Sequence, residues 1–72
     1  MTMHYGHQDI LDAAEDIGDG WRKAVITLTG EDTVYSGLSG KWDFRGPGTV
    51  TYMMSPAGWH VTPSESVSKR YK

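Results

Sequence analysis

Seventy-two residues, no cysteine and a formal charge of −2 describe one small domain with a thin core. They exclude disulfides, thiolate metal sites and thiol chemistry, leave little volume for a deep substrate cavity, and argue against a general affinity for nucleic acid, which needs a basic footprint. No apolar run approaches the ~18 residues of a membrane span, and Met1-Thr2-Met3-His4-Tyr5 lacks the basic start and apolar stretch of a signal peptide, so a cytoplasmic location away from membranes is expected.

In chain order, residues 1 to 7 read as a frayed terminus. Ile10, Ala13, Ala14 and Ile17 then fall at i, i+3, i+4 and i+7, one apolar stripe of a helix over residues 9 to 17. Asp9 can cap its start, and Gly18 and Gly20 supply the stop. About ten residues cannot hold a helix alone, so the stripe must dock on other structure. Residues 21 to 29 alternate as a strand, with Ala24, Ile26 and Leu28 towards the core. Gly30-Glu31-Asp32 turns the chain into a second strand over 33 to 38, where Gly37 and Gly40 signal a bulge or bend before the pattern resumes at 41 to 44. The turns Arg45-Gly46-Pro47-Gly48 and Ser55-Pro56-Ala57-Gly58 bracket a third strand at 49 to 54. A short fourth strand is expected at 59 to 62 and a fifth at 66 to 68, with 69 to 72 as a basic tail.

One helix followed by short antiparallel strands predicts an α+β domain over residues 1–72. The helix would pack on a strongly bent antiparallel sheet or a small five-stranded barrel, which hides its own edges. Ile10, Ile17, Ile26, Leu28, Val50 and Val61 are the expected buried residues.

The chemistry-bearing residues point to binding, not catalysis. His4 and His7 precede the helix, but no third ligand completes a zinc set with Asp9 or Asp12. No nucleophile elbow accompanies His60, and Gly46-Pro47-Gly48 lacks the lysine and helix of a phosphate loop. No metal, cofactor or catalytic residue is expected. Asp9, Asp12, Glu15, Asp16 and Asp19 crowd the first twenty residues without a Lys or Arg among them. Helical spacing would align Asp9, Asp12, Asp16 and Asp19 on one side, a field suited to a basic partner or simply a solvated face. Trp21, Tyr35, Trp42, Phe44, Tyr52, Trp59 and Tyr71 exceed the needs of a thin core, and aromatics left outside are interface anchors. Trp42 and Phe44 share one strand face with Arg45 beside them, which makes them the expected exposed patch.

The order of elements, and residues 23 to 37 in particular, resemble the Sm-like (SH3-like) small-barrel family. Gly37 matches its second-strand glycine, and Asp43 falls where the family often carries an acid. Pro47 stands where an asparagine is expected, and the Arg-Gly pair of the second motif is missing, so RNA binding and ring assembly do not carry over. In layout and acidic balance the chain is similar to bacterial inhibitors of the Rho terminator, which act by protein–protein contact.

The leading expectation is a non-catalytic regulatory binding protein, an inhibitor or adaptor of the size that phages and mobile elements encode. It would dock on a larger protein with a basic surface through Asp12, Glu15, Asp16, Asp19, Trp42, Phe44 and Arg45. One alternative is a single-stranded nucleic-acid binder using Trp42, Phe44, Tyr52, Arg45 and Lys41 with the basic tail. Another is a structural subunit, such as a phage component, that self-associates.

Overall fold

The computed structural model describes residues 2–35 and 42–71, the side chains of residues 42, 70 and 71 excepted. Along them run β1 (His4–Tyr5), α1 (His7–Ala13), β2 (Glu15–Gly18), β3 (Trp21–Leu28), β4 (Thr33–Tyr35), β5 (Trp42–Arg45), β6 (Gly48–Ser55), β7 (Gly58–Pro63) and β8 (Ser68–Tyr71). The strands form two four-stranded sheets, ordered β1-β4-β5-β8 and β2-β3-β6-β7. This is an α+β domain with one short helix, as the periodicity predicts. The expected bend at Gly37 and Gly40, with Leu38 and Lys41, lies outside the described residues. The interrupted second strand is in fact two strands, because β4 and β5 pair antiparallel, Val34 opposite Phe44.

The long ladder of β3 with β6 carries the core. Strict alternation sends Ala24, Ile26 and Leu28 inward from one strand and Val50, Tyr52 and Met54 from the other. The register sets Ala24 against Tyr52 and Ile26 against Val50. Val34, Phe44 and Ile10 complete the same cluster. Tyr52 is fully buried and donates its hydroxyl to the Tyr35 carbonyl, which ties the two sheets together. Burial, with Asp43 and Tyr35 adding to it, raises the phenol above its ordinary range, so it stays a donor. Val61 is only half-buried because β7 is the edge of its sheet.

The helix is shorter and earlier than its apolar spacing predicts. Asp9 is not the N-cap. It sits at the third helical position, and its carboxylate accepts the Gly6 N–H at 2.8 Å, half of a capping box. The helix therefore begins at His7. At Ala14 the backbone turns extended, with ψ 138°, and residues 15 to 18 enter β2. Ile17, an expected core residue, is consequently 50% exposed. The cause is the turn that follows: Asp19 and Gly20 both have positive φ, 56° and 79°, as a two-residue type I′ hairpin requires. The Asp16 carboxylate also accepts the Gly18 N–H at 2.8 Å, fixing the bulge through which β2 joins β3. Hairpin chemistry over 16 to 21 outcompetes the last turn of helix.

The first residues, expected to fray, are also bound. β1 pairs parallel with β4, and the buried Asp32 holds it there. Its carboxylate accepts the Met3 N–H at 2.9 Å, the Thr29 hydroxyl at 2.8 Å and the Thr29 N–H at 3.1 Å, while the Thr33 N–H reaches the Met3 carbonyl at 2.9 Å. The Met3 and Thr29 hydrogen bonds hold the Asp32 pKa below its ordinary 3.8. A depressed carboxylate stabilises the fold above its unfolded pKa and loses that contribution as pH falls through the folded value. The stability of the parent over Asp32→Asn, read from urea midpoints, is therefore expected to be constant above about pH 4 and to shrink below it. A gap that stays constant down to pH 2 would contradict this.

Candidate protein-contact surface

The β2–β3 hairpin gathers four of the expected contact residues. Asp12 lies in the last turn of α1, Glu15 and Asp16 lie on β2, and Asp19 sits in the turn, all exposed. They do not share a helix face, since the helix ends at Ala13; they form a rim that runs from the last helical turn through the edge strand β2 into its turn. The ladder sets Lys23 opposite Glu15 and Arg22 opposite Asp16, and opposite charges so placed attract by about 0.2–1 kcal/mol. Arg22 is turned towards the helix, where its guanidinium donates to the Leu11 carbonyl at 3.3 Å. Glu15 and Asp16 thus each face a basic residue across the ladder, while Asp12 and Asp19 lie outside it.

Alternation splits the hairpin into two sides. Arg22 is in register with the buried Met54, so it and Asp16 belong to the core-side phase. Glu15 and Lys23 belong to the outer side. There Ala13, Glu15, Ile17, Lys23 and Val25 line an open groove of about 310 Å³. Ile17 and Val25, at 50% and 49% exposure, are two of the three large hydrophobic residues exposed among those described. Further along the face Trp21 stacks on His60, ring centroids 5.8 Å apart at 19°. The groove lining holds one carboxylate and one ammonium with no hydroxyl, thiol or imidazole, which suits contact better than chemistry.

The expected aromatic patch does not form. Phe44 is 4% exposed and opposes Val34 inside the core; alternation that buries Val34 must bury its cross-strand neighbour. Tyr52 is equally inaccessible, so neither ring can stack a nucleobase. The Trp42 side chain lies outside the described residues. Arg45 is half-buried, and its Nη2 meets Glu31 Oε1 at 2.6 Å, an exposed pair worth about 0–1 kcal/mol. The basic tail is β8, antiparallel to β5.

The two N-terminal histidines part company. His4 Nδ1 bonds the Thr33 hydroxyl at 2.8 Å, whereas the His7 ring packs 5.3 Å from Trp59 and 5.8 Å from Tyr35. Among the described residues no group of three or more His, Asp or Glu converges as a metal site, and no helix is long and apolar enough to cross a membrane. Of the outer-face residues, Val25 is placed off the core by the alternation of residues 21 to 29 and Trp21 is among the expected anchors, whereas Ile17 escapes a sequence reading that assigns it to a helix. The Asp19-Gly20 pair is the signal that identifies it, because it makes residues 15 to 18 a strand. No family model, curated protein or solved structure matches the chain.

Proposed function

We propose that this chain is a small non-catalytic regulatory protein that acts by protein–protein contact, docking its acidic rim on a larger partner with a basic surface. The observation that carries the reading is the exposure of Asp12, Glu15, Asp16 and Asp19 on the last turn of the helix and the β2–β3 hairpin, four carboxylates beside the two cations Arg22 and Lys23. Clustered like charges act as one field and speed encounter with an opposite patch, although each exposed pair contributes little affinity. The resemblance of residues 23 to 37 to Sm-like barrels supports the same reading, since the inhibitors the chain is similar to in layout act by protein contact.

Affinity capture from a bacterial lysate tests it, with the parent and an Asp12→Asn/Asp16→Asn variant as baits. The replacements keep the oxygens that accept from Gln8 Nε2 and from the Gly18 N–H, so the fold is expected to survive. Proteins with basic surfaces should be retained by the parent and depleted on the variant. Identical retention on the two baits would contradict the proposal.

A further inference from the structure

We infer that the outer face of the β2-β3-β6-β7 sheet is a contact between two copies of this chain. The face combines an apolar centre with a charge pattern that complements itself. Ile17 and Val25 line its groove, half exposed, and covering their remaining apolar surface favours association. Trp21, held flat against His60, supplies the kind of rigid aromatic anchor that dominates contact energies.

The charges select the occupant. Among the described residues, Glu15 and Lys23 are the only charged ones lining the groove, and they lie directly opposite one another in the ladder. A groove with one charge of each sign gives no net attraction to a uniformly basic or acidic partner. A two-fold axis parallel to the face and perpendicular to the line between them sets Glu15 of each copy against Lys23 of the other, the self-complementarity that an isologous interface requires. Asp16 and Arg22 belong to the opposite side of the sheet, so the acidic rim stays available, and this inference does not depend on it.

Area limits the strength. Strands about 4.8 Å apart, of four, eight, eight and six residues at about 3.4 Å each, give a face of about 420 Å² per copy. Two copies would bury about 850 Å² in all, the size of a weak, transient contact. A weak dimer follows, with Kd on the order of 10 µM.

Sedimentation equilibrium of the full chain from about 1 to about 500 µM spans that range. The weight-average mass should rise from the 8.0 kDa monomer towards twice that value. Lys23→Glu should weaken the dimer at least about 10-fold, because Glu15 then meets a like charge. Adding Glu15→Lys should restore it, since the exchanged pair is again complementary; far-ultraviolet circular dichroism checks that each variant is folded. A parent that stays monomeric throughout, or a dimer that Lys23→Glu leaves unchanged, would overturn the inference. Capture of a basic partner by the rim would stand in either case.

Discussion

Replacing Gly48 by alanine is expected to destabilise this protein by about 2–4 kcal/mol, although it adds a single methyl group. Gly48 opens β6 at φ 141°, a region that residues with a side chain rarely occupy. A Cβ there would lie 2.5 Å from the hydroxyl oxygens of both Ser64 and Ser66 and 2.7 Å from Val67 Cγ2. The Ser64 hydroxyl cannot simply swing aside, because it accepts the Thr49 N–H at 3.1 Å while the Ser64 N–H reaches the Thr49 carbonyl at 2.8 Å. Val67 is β-branched and stiff. The connection from β7 to β8 must therefore shift as a unit. Each kcal/mol lowers Tm by about 4–8 °C in a domain of this size, so a fall of about 10–30 °C is expected. Gly58→Ala separates the causes: its φ is 145°, but nothing lies within 4 Å of a Cβ. It should cost backbone strain alone, about 1–3 kcal/mol. Equal losses from the two would contradict the steric part.

Ile10→Ala is expected to cost about 2–5 kcal/mol, as truncation of a fully buried aliphatic side chain does. Helix α1 has seven residues, too few to persist without tertiary contacts, and Ile10, 0% exposed, is its one buried residue. Loss of its side chain opens a void in the core cluster and loosens the element that leads into β2. The urea midpoint should fall with little change in slope. Ile17→Ala, by contrast, should stay within about 0.5 kcal/mol, as at an exposed site. A helix over 9 to 17 would place both isoleucines in the core and make the two losses similar. Unequal losses, large at 10 and small at 17, distinguish the hairpin from that helix.

Local patterns make part of this structure legible from the residues alone. The alternation in β3 and β6 identifies Ala24, Ile26, Leu28 and Val50 as core because each strand has one buried face. The Ser55-Pro56-Ala57-Gly58 turn is equally local, with Ser55 paired to Gly58. Residues 10 to 17 are harder, since the spacing of Ile10, Ala13, Ala14 and Ile17 fits a helix while Asp19-Gly20 encodes a hairpin. The hairpin prevails because β2 can add to the edge of β3, a partner far from evident in an eight-residue window. Phe44 cannot be assigned from composition, for its burial depends on facing Val34 across a ladder. The Asp32 clamp on Met3 joins residues 29 apart in sequence and leaves no periodic trace. The acids are visible as a cluster, but their geometry as a rim, with Lys23 opposite Glu15 and Arg22 opposite Asp16, follows only from the register.

The association rate with a captured partner tests the central claim, that the rim steers a basic protein surface into contact. Stopped-flow kinetics would compare the parent with Asp12→Asn/Asp16→Asn at low salt and at about 0.15 M, where screening acts over about 8 Å. The double variant is expected to associate about 10-fold more slowly at low salt, to approach the parent as salt rises, and to dissociate at the parent's rate. Equal association rates at low salt would reduce Asp12, Asp16 and Asp19 to a solvated edge and contradict the account.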